Sequence, residues 1–252
     1  MGFPPHLNYL KEKEIIWFNP CWGFYAFWDR FNNFMKEKKL NGKEAWLHRD
    51  MKENKEKYVA ALLALFLKKT NPEKNGWWFT KTLQDPPDAI IGTPEETVKG
   101  NLMKIREIEV VEYIGKGSVF EVIKTKLNKK QYEPNTVLVC MLSPENIEEI
   151  KFEEISKKII KENFFLGLVF VLFHGCPLAH LNSLSKEKIL SELSKISLIQ
   201  LSPIYNFFSI FPQNICKDFV AGKEKAWLKF SGRGLSTGFD NVISENMLNP
   251  FN

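Results

Sequence analysis

Residues 86–113 read PPDAIIGTPEETVKGNLMKIREIEVVEY. Two apolar runs, 88–91 and 104–113, flank a polar loop containing Gly92, Pro94 and Gly100. Such a pattern predicts two strands joined as a hairpin about 98–99. Acids sit inside the apolar runs: Asp88 in the first, Glu107 and Glu109 in the second. A carboxylate in a half-buried strand is costly unless a partner, often a metal, meets its charge. The hairpin register sets Asp88 opposite Glu109, and period-two alternation puts Glu107 further along the same face. Ile105, Val111 and Tyr113 share that face and are apolar, which argues against a solvated row of acids. The convergence of these acids is expected to seat a hard divalent cation, Mg²⁺ or Mn²⁺.

The chain has 252 residues, room for one large domain or one compact domain with appendages. With 44% hydrophobic and 26% charged residues it can pack a core and is not globally disordered. A net charge of +5 tilts only slightly toward a polyanionic partner, because a Lys- and Asn-rich composition can equally reflect coding bias. Cys21, Cys140, Cys176 and Cys216 are far apart and form no C-x-x-C. That spacing predicts neither a disulfide framework nor a zinc site, and a reducing, cytoplasmic setting. The N-terminus lacks a basic segment followed by an apolar one, so no signal peptide is expected. The run FFLGLVFVLF at 164–173 suits a covered strand and is too short to span a bilayer, so no membrane partner is expected.

Along the chain, 22–39 is crowded with aromatics, and Phe24, Trp28, Phe31 and Phe34 or Met35 fall at helical spacing. A helix plugging a core is the plainer reading, and a base-stacking surface beside Arg30 the sharper one. A helix over 51–69 has an apolar stripe of Val59, Leu62, Leu63, Phe66 and Leu67. A strand follows at 77–83, carrying Lys81. After the hairpin, Ser118 and Glu121 predict a capped helix to about 130, with Val119, Val122, Ile123 and Leu127 inward and Lys124, Lys126, Lys129 and Lys130 on its other side. The run 136–142 reads as a strand covered on both faces, 143–161 as a helix, and 164–173 as another covered strand. Beyond it, 186–199 reads as a helix, 205–211 and 226–230 as strands or packed loops, 232–238 as a loop and 246–252 as a frayed tail.

This order resembles the core of the PD-(D/E)xK nuclease superfamily over roughly 51–175. Pro87-Asp88 matches the PD element, Glu109 the D/E position, and Glu56 or Glu53 the acid of the first helix. The resemblance implies an α/β, restriction-endonuclease-like core with a mixed central sheet flanked by helices. An aromatic-rich N-terminal helical segment (1–50) would pack on that core (51–175), and 176–252 would form a C-terminal extension. It also implies metal-dependent hydrolysis of nucleic-acid phosphodiesters, DNA foremost, with a homodimer allowed. Asp88 and Glu109 would hold Mg²⁺ or Mn²⁺, and Glu107 would bridge or orient the attacking water. Lys124, Lys126, Lys129 and Lys130 would hold phosphates without reading sequence, although a solvated helix face explains them equally well.

The chain departs from the pattern at Val111, which occupies the lysine position. Either Glu107-Ile108-Glu109 acts as an E-x-E element, or a lysine reaches in from elsewhere, Lys81 before Lys104. The alternative is a catalytically inactive, nuclease-like subunit that binds nucleic acid or serves protein assembly. A third reading has the C-terminal segment docking a partner. No nucleotide-binding glycine loop, clustered histidines or G-x-S-x-G elbow points to another chemistry.

Overall fold

The computed structural model describes residues 15–72, 76–81, 87–97, 100–129, 132–133, 135–142, 150–162, 167–174, 195–231, 234–238 and 250–251. The strands are β1 (Ile15–Phe18), β2 (Trp78–Lys81), β3 (Ala89–Thr97), β4 (Gly100–Tyr113), β5 (Thr136–Leu142), β6 (Leu168–His174), β7 (Ile196–Ser202), β8 (Asn206–Ile210), β9 (Trp227–Ser231) and β10 (Gly234–Gly238). The helices are α1 (Pro20–Lys38), α2 (Gly42–Leu47), α3 (Lys52–Thr70), α4 (Val119–Leu127), α5 (Phe152–Glu162), α6 (Pro212–Ile215) and α7 (Lys217–Val220). The class is α/β with mixed strand pairing. The chain forms two compact units, residues 1–105 with 215–252, and residues 106–214. Among the described residues no helix is long and apolar enough to cross a membrane.

In the first unit the strands run β10-β9-β1-β2-β3, each antiparallel to the next, and β3 continues to the start of β4. One face buries Ile15, Trp17, Trp78, Ile90 and Leu228 with Met103 and Ile105. By alternation Phe18, Phe79 and Ile91 point to the other face, where α3 packs on β2 and β3. α1 starts at Asn19, whose side chain accepts from the Cys21 N–H at 2.8 Å, with Pro20 in the first turn. It crosses α3 at Gly23, where a Cβ would lie 2.5 Å from the Phe79 ring and 2.9 Å from Ala61 Cβ.

Phe27 stacks on Tyr58 with ring centroids 4.0 Å apart, and Phe24, Phe31 and Phe34 are also buried. The aromatic face of α1 is therefore core rather than an exposed stacking surface. α3 departs from its expected single stripe, since every residue from Asn54 through Phe66 is buried. A helix covered all round lies inside its unit. Its charged residues are matched locally: Lys57 with Glu53 at 3.0 Å, Glu56 with Lys52 at 3.5 Å, and Lys55 over the Trp46 ring at 5.8 Å.

The stretch around Gly92 and Pro94 is strand rather than loop, because β3 runs on to Thr97. Its ladder with β2 ends at Trp78–Gly92, so the missing N–H of Pro94 removes no bond from it. The expected turn at 98–99 lies outside the described residues. Residues 234–238 form β10, an edge strand held by β9, not a loop. Phe251 is buried with its ring 5.7 Å from that of Phe27, so this part of the tail is not frayed.

The second unit contains two strand-helix-strand crossovers. β4 runs parallel to β5 from Glu107–Thr136 to Tyr113–Leu142, and β5 runs parallel to β6. β7 and β8 then add antiparallel strands. α4 begins at Ser118, whose hydroxyl accepts from the Phe120 N–H at 3.2 Å. Phe120, Ile123 and Leu127 of α4 and Ile159 of α5 pack on Tyr113, Leu138, Cys140, Val169, Val171 and Ile199. Ser156 Oγ donates to Leu201 O at 2.6 Å and fixes α5 to β7. The helix expected at 186–199 is corrected at its end: 196–199 belong to β7, whose near-continuous apolar run suits a covered strand. Residues 186–194, 143–149 and 163–166 lie outside the described residues.

Candidate active site

β4 presents Glu107, Glu109, Val111 and Tyr113 at alternate positions. Val111 and Tyr113 belong to the core beneath α4 and α5, so Glu109 lies on the face that α4 covers. Across that gap Lys126 of α4 brings its Nζ to 2.8 Å from Glu109 Oε2. The Glu109 side chain is 3% exposed and that of Lys126 21%. The lysine meets the buried charge while keeping its own edge toward water. Breaking such a pair by removing one partner costs about 3–5 kcal/mol, since the other charge is stranded. Glu107 is buried beside Thr136 of β5.

The other expected site residues are distributed as follows. Asp88 directly precedes β3, is half-buried and belongs to the first unit, as does Glu56 on α3. Lys81 ends β2 opposite Ala89, and Lys104 is exposed on β4. The expected lysine set divides. Lys124 pairs with Glu162 of α5 at 3.1 Å and lies 5.5 Å from the Phe120 ring, which Lys158 approaches at 5.6 Å. Lys129 is exposed, and Lys130 lies outside the described residues. Among the described residues, no group of three or more His, Cys, Asp or Glu side chains is arranged to hold a metal ion.

The pairing of Lys126 with Glu109 is what sequence reasoning missed. The signal was present in α4 itself. At about 100° per residue, Lys126 falls between Val119 and Val122 around the helix, on the arc that faces the sheet, whereas Lys124 falls outside it. Comparison with family models, curated proteins and solved structures finds no match to this chain.

Proposed function

We propose that this chain is a metal-dependent nuclease that hydrolyses nucleic-acid phosphodiesters, DNA foremost. The observation that carries the reading is the Lys126–Glu109 pair at 2.8 Å. The glutamate at the motif position on β4 has a lysine beside it, supplied from α4 instead of from position 111. The order α3-β2-β3-β4-α4-β5, with β2 and β3 antiparallel and β4 and β5 parallel, supports a restriction-endonuclease-like core.

The donors are carboxylate oxygens, the chemistry a hard cation takes. Mg²⁺ needs only one or two protein carboxylates, with water and substrate phosphate completing its shell. Glu109 would hold Mg²⁺ or Mn²⁺. When bound, the cation supplies positive charge that acidifies water and offsets charge on phosphate oxygens. Lys126 orients Glu109 and neutralises it between turnovers. Its partly exposed ammonium can also donate to a phosphate oxygen. Glu107, one alternation back along β4, is the residue to orient the attacking water.

The test is incubation of the purified chain with supercoiled plasmid, single-stranded DNA and structured RNA, with Mg²⁺, Mn²⁺ or EDTA. Metal-dependent cleavage is expected, reduced about a hundredfold or more in Glu107→Gln, Glu109→Gln and Lys126→Met. Equal background cleavage in all four proteins on every substrate removes the enzyme reading.

A second reading is a nuclease-like subunit that binds nucleic acid without cutting it. The same ion pair favours it, since a lysine held against a buried glutamate also serves as a purely structural contact. Salt-sensitive DNA binding with no heat of Mn²⁺ binding in calorimetry would select it.

A further inference from the structure

β5 starts beside the acids of β4. Glu107 pairs with Thr136 in the parallel ladder and Glu109 with Leu138, and paired residues share a face of the sheet. That face is the one α4 and α5 cover, since Leu138 and Cys140 lie in the core beneath them. Thr136 is 2% exposed, and its Oγ1 has no hydrogen-bond partner among the described residues. The hydroxyl stands on a fixed backbone. Thr136 N–H donates to Glu133 O at 2.9 Å, and the Tyr132 hydroxyl donates to Lys126 O at 3.0 Å, which ties the approach to β5 to the end of α4.

We infer that the Thr136 hydroxyl is a ligand of the divalent cation, the third oxygen beside the carboxylates of Glu107 and Glu109. The inference rests on the proposed nuclease reading of β4. Other buried hydroxyls of the chain meet carbonyls: Thr80 Oγ1 donates to Ile16 O at 2.8 Å, and Ser156 Oγ to Leu201 O at 2.6 Å. A buried hydroxyl with no such bond has lost water and gained nothing, a cost that a group bound from outside the chain would relieve. Thr93 on β3 is also without a partner among the described residues, but the acid next along its strand face, Glu95, is exposed. Thr136 stands across from a buried one. The plainer account is that threonine serves here only as a β-branched strand former, in which case valine does as well.

A hydroxyl is a hard, neutral oxygen, of the kind Mg²⁺ and Mn²⁺ accept. Two carboxylates already balance a dication. A neutral third donor adds a ligand without adding charge for a buried site to hold. Bound through a lone pair, the hydroxyl keeps its proton.

The full-length chain, stripped with EDTA, is titrated with Mn²⁺, read by loss of the free-ion EPR signal, and with Cd²⁺ by calorimetry. Cleavage of plasmid is followed alongside. The unsubstituted chain is expected to bind Mn²⁺, Thr136→Ser to bind it nearly as well, and Thr136→Val to bind it about tenfold or more weakly. Thr136→Cys replaces the hard donor by a soft one. It should lose affinity for Mn²⁺ and gain it for Cd²⁺ relative to the unsubstituted chain, which carries the same four native cysteines. A packing role does not change ion preference, so the cysteine variant decides even where valine disturbs the fold. A folded valine variant that binds Mn²⁺ as the unsubstituted chain does, or a cysteine variant with the original preference, overturns the inference and leaves the nuclease reading to the cleavage result. Ligand dependence as expected without cleavage of any substrate upholds the inference and removes the nuclease reading. An unsubstituted chain that binds no Mn²⁺ overturns both.

Discussion

Glu109 of β4 and Lys126 of α4 close a 2.8 Å ion pair inside a parallel strand-helix-strand unit. The pair fastens the helix to the strand that it follows. Lys126→Met takes the ammonium from a buried carboxylate and is expected to cost up to about 3–5 kcal/mol in urea unfolding. The double variant Glu109→Gln, Lys126→Met removes both charges and should recover most of that loss. A double variant as unstable as Lys126→Met would mean that the pair is not what holds α4 in place.

Gly23 is the point of closest approach of α1 to α3 and β2. A methyl group there would lie 2.5 Å from Phe79 and 2.9 Å from Ala61. Because one neighbour is a ring and the other helix-bound, neither yields easily. Gly23→Ala is expected to lower stability by about 1–3 kcal/mol, read as a fall in Tm. An unchanged Tm would show that α1 shifts freely.

Asn19 performs two tasks. Its Oδ1 caps α1 through the Cys21 N–H at 2.8 Å, and its Nδ2 donates to Lys225 O at 2.8 Å. Asn19→Ala loses both, about 1–2 kcal/mol together. Asn19→Ser keeps a capping oxygen and should fall between the two in thermal unfolding. A serine variant no better than alanine would place the whole effect in the Nδ2 contacts with Lys225 O and Glu224 Oε2.

Burial foremost, with the nearby Glu112 second, pushes the Cys140 thiol from 9.0 to about 12. Below pH 9 the folded and unfolded chains both hold this proton. Between 9 and 12 the unfolded chain releases it and the folded chain does not. Stability from this group is therefore lost as pH rises through that window, by about 1.4 kcal/mol per pH unit. Urea midpoints at several alkaline pH values should fall less steeply, by one proton, in Cys140→Ala. Parallel slopes would refute the burial argument.

What could be read from the chain followed local signals. The continuous apolar runs of β5 and β6, the cap at Ser118 and the acids of β4 stand in the sequence as they stand in the fold. β1 was not legible, because Ile15–Phe18 is short and the partner that makes it a strand is β9, far along the chain. β10 was hidden by its glycines, and the end of a presumed helix at 196–199 proved to be β7 because tertiary cover outweighed local preference. At the candidate site, Glu109 was picked out by its cost in a strand, whereas Lys126 was grouped with its neighbours by charge instead of by its bearing around the helix.

The position of β9 between β10 and β1 bears on how the protein is made. Phe18 pairs with Trp227, so β1 has no neighbour on that side until residues 227–230 have left the ribosome. Residues 106–214, the second unit, emerge earlier and can pack within themselves. Until then the nascent first unit carries an open edge, and it is there that a holding chaperone would find its grip.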